Sequence, residues 1–339
     1  MKLKEYLWEL GALEGASGFE HGLSSRVEAL LDDLCDEVYT DPLGSIHGIL
    51  YCGEEDAPKL LLDAHIDEIG LMVSGITDEG FLRVVNLGGV DSRILPGAAV
   101  TVHGREPLYG VMAAKPPHIQ TAEEMKQAIA LKDMVVDIGY DRQQAEKRVS
   151  VGDMITFRAQ PEMLLGQVVT GRALDDRAGV AVLLSALNRL KKHRRSVDIE
   201  VLISAQEETG LRGAQVGGWR AMPDLALAVD VSHAKTPDAS GDNVYTLGGG
   251  AMIGVGPSLH RRITDQLCRL AEEHHIPHQV EVMGGDTGTN AWALQVVGQG
   301  IPCGLLSIPL RYMHTTIETL SLEDAKAVRD LICRFALGR

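Results

Sequence analysis

The feature that most constrains this chain is a long alternation of buried apolar runs with amphipathic helical spacing. After about residue 165, DDRAGVAVLLSALNRLKKH reads as a helix, IEVLISAQ (199–206) as a buried strand and LALAVDV (225–231) as another. LHRRITDQLCRLAEEHH follows as an amphipathic helix, IPHQVEVM as a strand, TNAWALQVV as a short helix and CGLLSIPL as a strand. SLEDAKAVRDLICRFAL closes the series as a helix with Ser321 and Asp324 at its start. Such alternation predicts an α/β fold with a mostly parallel sheet flanked by helices. Upstream, LLLDAH (60–65) reads as a further buried strand. Residues 3–13 and 20–34 have helical spacing, with Leu23, Val27, Leu30 and Leu31 on one face. Between them and LLLDAH, VYTDPLGSIHGILYC predicts two short strands around a turn.

The texture changes after about residue 70. LMVSGI, FLRVVNL, AAVTVHG, LYGVMAA and DMITFRA are short β-like runs broken by Gly, Pro and Asp. They predict a small all-β module of barrel or sandwich type, taken here as barrel-like, with one short helix at TAEEMKQAIA, where Thr121 and Glu124 match a capping box. The expected organisation is one α/β domain made of 1–70 plus 165–339, interrupted by an inserted β domain at 71–164. A length of 339 residues is ample for two such units.

Composition narrows the function classes. The net charge is −15, from 32 Lys plus Arg and 47 Asp plus Glu. That argues against a nucleic-acid binder, which needs a basic footprint, and against docking on anionic membranes. It mildly favours a cationic group on the substrate. The five cysteines, Cys35, Cys52, Cys268, Cys303 and Cys333, form no C-x-x-C pair, so a disulfide framework or cysteine zinc site is not expected. Glu5 and Glu9 interrupt any apolar core of a signal peptide, and no run reaches the roughly 18 apolar residues of a membrane span. A cytoplasmic location is the expectation.

Chemistry-bearing residues gather where the buried runs end. His65 and Asp67 follow one strand in DAHIDEIG, Glu207 and Glu208 another in SAQEETGLRGA, and Asp230 a third in AVDVSHA. His314 follows the strand near 303–308 in SIPLRYMHTT, and Asp175 and Asp176 precede a helix in GRALDDRAG. Ligands of open α/β sheets bind outside the carboxyl ends of strands. His, Asp and Glu there are the donor set of zinc-like divalent ions, and their number favours two ions over one. A carboxylate at Asp67 can accept the second N–H of His65. Consecutive side chains diverge, so one of Glu207 and Glu208 can bind metal while the other acts as a general base. Spacing alone leaves open which does which, and which of Asp175 and Asp176 bridges.

AHIDEIG, ALDDRAG, AQEETGLRGA, AVDVSHA and RYMHTT, in this order across residues 64 to 316, resemble the M42 family of metallo-aminopeptidases. These are relatives of the tetrahedral and glutamyl aminopeptidases, some of which carry the name endoglucanase. The resemblance implies a zinc-peptidase-like α/β domain with an inserted β domain that helps oligomerise and gates the site. It implies His65 and Asp230 on one metal, Glu208 and His314 on the other, Asp175 as the bridge, Glu207 as general base and Asp67 as the residue orienting His65. Asp176 and Arg177 would support the bridge loop. The expected cofactors are two divalent metal ions per subunit, zinc in preference to cobalt or manganese. The expected reaction is removal of the N-terminal residue of short peptides by metal-activated water. A homo-oligomer is implied, of which a dodecameric tetrahedral shell is one form.

Two other readings use the same residues. An amidohydrolase acting on N-acyl amino acids would want an Arg for the substrate carboxylate, and Arg177 and Arg311 are the near candidates. A non-catalytic metal-binding shell would have no use for the spare carboxylate of Glu207. Elsewhere, HHIPH (274–278) and KKHRR (191–195) read as solvated segments, and GGDTGTN (284–290) as either a pocket wall or a plain turn.

Overall fold

The computed structural model describes residues 1–239, 241 and 243–338. Its centre is four parallel strands in the order Asp198–Ser204, Lys59–His65, Leu225–His233, Cys303–Arg311. Antiparallel strands extend this centre, so the whole sheet is mixed. Ile46–Leu50 and Glu37–Thr40 lie on one side; Glu318–Ser321, Val168–Gly171 and Glu162–Met163 lie on the other. Ala251–Val255 pairs antiparallel with the Cys303 strand and carries the parallel strand His278–Val282 at its outer edge.

Both faces of the central strands are covered, which explains why they read as near-continuous apolar runs. Leu60, Leu62 and Ala64 pack into the larger core with residues of the helices Leu3–Ala12, Leu174–Leu190 and Leu322–Leu337. Leu61, Leu202 and Ala228 face the opposite layer, where Ala214 and Leu294 come from the helices Arg212–Ala221 and Asn290–Leu294. The two-residue period of a strand therefore sorts side chains between layers. His65 and Asp230 fall on the second face, at the ends where that layer stops.

Six antiparallel strands between Gly70 and Phe157 close into a barrel around Leu71, Val73, Val100, Val136 and Ile155. The expected helix at TAEEMKQAIA is only a 3-10 turn, Glu124–Lys126. Its capping box does form: Glu124 accepts from Thr121 N at 2.7 Å, and Thr121 Oγ1 accepts from Glu124 N at 3.2 Å. Residues 121–128 are all exposed, so no apolar face packs to carry the turn into a helix. KKHRR is also corrected in part: Arg195 is buried and donates to the carbonyls of Tyr51 and Leu190. All five cysteines are free thiols.

Candidate active site

Three parallel strands and two connecting segments bring the predicted residues to one place. His65 ends its strand beside Ser204, after which the chain turns through Glu207 and Glu208. Asp230 lies on the next strand, in register with Ser307. Asp175 precedes the regular turns of the helix Leu174–Leu190, joined to Asp176 by a cis peptide bond. His65, Asp175, Glu207, Glu208, Asp230 and His314 all line one cavity of about 340 Å³, with Leu211, Val231, Asp286 and Met313 in its walls.

The two adjacent aspartates divide the work that spacing left open. Asp176 Oδ1 accepts the Gly179 N–H at 3.0 Å, as a helix-capping side chain does. Asp175 turns into the cavity, and its two oxygens face different histidines: Oδ1 is 3.2 Å from His65 Nε2, and Oδ2 is 3.3 Å from His314 Nε2. His314 Nε2 is also 3.2 Å from Glu208 Oε1.

Each imidazole is oriented through its other nitrogen. His65 Nδ1 donates to the Asp67 backbone carbonyl at 3.1 Å, and His314 Nδ1 to the Gly89 carbonyl at 3.1 Å. Each Nε2 then faces carboxylate oxygens at 3.2–3.3 Å, a spacing that a proton on the imidazole or a shared metal cation satisfies. One oxygen or nitrogen atom each from His65, Glu207 and Asp230, or from His65, Asp175 and Glu208, lie within 4.8 Å of one another, so either trio could hold a metal ion. The donor set fits a divalent cation of zinc type.

The charges point the same way. Burial, opposed by His65 but reinforced by Glu208, Asp175 and Asp67, pushes the Glu207 carboxyl up to about 8. Burial and Asp176 hold Asp230 well above the usual carboxylate range. Burial would lower His314, but Asp175 and Glu208 raise it to about 11. The cluster is rich in anionic groups and draws in positive charge.

The carboxylate of Asp67 lies 3.5 Å from His65 Nδ1, and its shorter contacts go elsewhere. It accepts the backbone N–H groups of Glu207 at 3.0 Å and Glu208 at 3.1 Å, so it also sets the turn that presents both glutamates. Two further acids act in the same way and escaped sequence reasoning. Glu318 accepts from Asp175 N at 3.1 Å and from His314 N at 2.9 Å, tying two remote segments together. Glu20 accepts from Gln206 N at 2.9 Å. The available signal was a charged residue inside a wholly buried strand, ETLS.

The barrel reaches this site through the loop after its strand Leu82–Leu87. A side-chain carbon at Gly89 would stand 2.7 Å from His314 Nδ1, and one at Gly88 would stand 3.2 Å from Glu208 Cβ. Gly89→Ala should therefore displace the His314 ring and weaken metal retention and turnover by about 10- to 100-fold. Metal titration of the variant checks this, and native affinity would show that the ring is not held by this loop.

Neither arginine of the amidohydrolase reading meets the cavity. Arg177 is fully buried and donates to Glu68 and to the carbonyls of Leu10, Leu13 and Ile66. Arg311 Nε donates to the Lys235 carbonyl at 2.8 Å. Among the described residues, no Lys or Arg lines the cavity.

A part-parallel sheet covered on both faces, an inserted barrel and a His–carboxylate cluster at strand ends fit a metal-dependent hydrolase, and known proteins of the same fold identify it as a peptide-hydrolysing enzyme of the aminopeptidase class. The model of the family described as M42 glutamyl aminopeptidase matches residues 44–331. The chain is 35% identical over 325 residues to a lysyl aminopeptidase of Pyrococcus furiosus, covering 94% of this chain and 91% of the relative. A TET aminopeptidase from a marine Thaumarchaeota archaeon superposes with TM-score 0.94 at 31% identity, over 99% of this chain and 96% of the other. The Pyrococcus horikoshii TET1 peptidase, which can assemble into a tetrahedron or a large octahedral shell, gives TM-score 0.87 at 32% identity over 100% of both chains. The chain belongs to the M42 aminopeptidase family, and membership implies use of a divalent metal. Among the described residues, no helix is long and apolar enough to cross a membrane.

Proposed function

We propose that this protein is a dinuclear metal-dependent aminopeptidase that releases the N-terminal residue of short peptides. The observation that carries the reading is the opposition of two oriented Nε2 atoms to the two oxygens of Asp175. In this reading His65 and Asp230 would hold one ion, Glu208 and His314 the second, and Asp175 would be shared between them. Two such ions, zinc by the mixed donor set and cobalt or manganese as substitutes, would supply carbonyl polarisation and a lowered pKa for the attacking water.

The chain's own residues do the rest. Glu207, presented by Asp67 through its backbone N–H, accepts the proton of the attacking water and delivers it to the leaving amine. Its raised affinity for a proton suits a group that must take one up and release it near neutral pH. Asp286, which lines the cavity and is assigned neither to metal nor to proton transfer, is left to hold the substrate's α-ammonium. The loop Gly88–Gly89 makes the barrel a part of the site, and the barrel is assigned gating and oligomerisation. A homo-oligomeric shell like that of the Pyrococcus horikoshii relative is the proposed assembly.

An assay of aminoacyl-p-nitroanilides beside N-acyl amino acids tests the reading. Only the free-amine substrates should turn over. Chelation should cut their hydrolysis by at least about 100-fold, with zinc, cobalt or manganese restoring it. Preferential cleavage of N-acyl substrates, or full activity in chelator, would overturn it.

A further inference from the structure

A second cavity of about 390 Å³ opens beside the first, and the two share Val231, Asp286, Gly288 and Met313 in their walls. Two residues beyond Asp230 on the same strand, and so on the same face, Ser232 lines this second space. That step is about 7 Å along the strand. Glu281, on the edge strand His278–Val282, meets it there with its side chain turned inward while Val280 and Val282 face out.

Glu281 is 5% exposed and lines the cavity. One carboxylate oxygen accepts the Ser232 hydroxyl, and the other accepts Ser307 Oγ at 3.0 Å. Each oxygen retains acceptor capacity beyond its one serine. A buried carboxylate held only by neutral hydroxyls lacks the cation that normally offsets its desolvation. Burial accordingly raises its affinity for a proton, against the two serines. Asp286 adds a second carboxylate at the rim shared with the active site, and among the described residues no Lys or Arg lines the cavity.

Resting on the aminopeptidase reading, we propose that this cavity receives the side chain of the N-terminal residue and that Glu281 selects Lys or Arg. The long apolar stem of either residue passes Met313 in the shared wall, and its cationic head reaches the Glu281 carboxylate. An acidic side chain would instead bring a third carboxylate against Glu281 and Asp286.

The test compares kcat/KM for Lys-, Arg-, Leu- and Glu-p-nitroanilides. Wild-type protein should prefer Lys and Arg to Leu by about tenfold or more, and disfavour Glu most strongly. Glu281→Gln should reduce the Lys-to-Leu ratio by about 10- to 100-fold, chiefly through KM for Lys. Free lysine and norleucine, which match in stem length and differ by the ammonium group, are then compared as inhibitors of the wild-type protein. Lysine should inhibit at least about tenfold better. A wild-type preference for Glu or Leu, an unchanged ratio in Glu281→Gln, or equal inhibition by norleucine would overturn the assignment. The lysine–norleucine comparison stands even if the variant does not fold. Failure of every aminoacyl substrate would instead overturn the aminopeptidase reading itself.

Discussion

Glu207→Gln should lower kcat by about a hundred- to ten-thousand-fold while leaving metal content unchanged, because it removes proton acceptance and little volume. The paired measurement matters because the geometry admits two roles. Glu207 lies within metal-sharing distance of His65 and Asp230, and its Oε2 is 3.9 Å from His65 Nε2. If Glu207 were a ligand, the amide would cost affinity, and the variant would come off a column depleted in metal. If it is the base, the variant stays loaded and inactive, and KM for aminoacyl substrates moves far less than kcat. Native turnover would end the assignment of the base. The neighbouring Glu208→Gln is the internal contrast: its Oε1 faces His314 at 3.2 Å, so metal loss is expected there first.

The strand ends were readable because burial and charge conflict visibly in a sequence. An apolar run such as VLISA that stops at two glutamates has few structural uses, and His65, Asp230 and Asp175 show the same break. The order of the motifs sufficed to collect them, and the structure brings all of them to one cavity. What spacing could not convey was which atoms orient which. The turn Glu207–Glu208 is held by Asp67 from 140 positions away, and Asp175 by Glu318 from 143. These pairings depend on strand order and register, which are set by long-range contacts. Glu281 was hidden for the same reason, since Ser232 and Ser307 become its partners only when their strands and the intervening strand Ala251–Val255 are assembled in order. GGDTGTN proves to be both a pocket wall and a turn. Asp286 and Gly288 line both cavities, while Gly288 takes φ +62 and donates to Asp286 Oδ1 at 2.9 Å.

The site also depends on a buried clamp beneath it, and Glu68→Gln should release that clamp at a cost of about 3–5 kcal/mol. Glu68 is 2% exposed, next in the chain to Asp67. One of its oxygens accepts Arg177 at 2.9 Å and the Gly15 N–H at 3.0 Å, and the other accepts Arg172. Both guanidinium groups are themselves buried; Arg177 also donates to the carbonyls of Leu10, Leu13 and Ile66, and Arg172 to that of Leu13. The N-terminal helix, the end of the His65 strand and the start of the Asp175 helix are thereby joined at one carboxylate. Glutamine keeps the shape and one acceptor but leaves two buried cations without an anion, which is the expensive way to break such a cluster. The apparent Tm should fall by about 5–10 °C. Burial alone would raise the Glu68 pKa, but Arg172 and Arg177 lower it below its ordinary value. Its contribution is therefore present above the unfolded pKa near about 4.3 and fades as the pH falls through the lower folded value. The Tm gap between wild type and variant should be full at neutral pH and close in acid. A gap that is absent at pH 7, or that widens below pH 4, would mean that the two arginines are compensated elsewhere and that Glu68 does not hold these segments together.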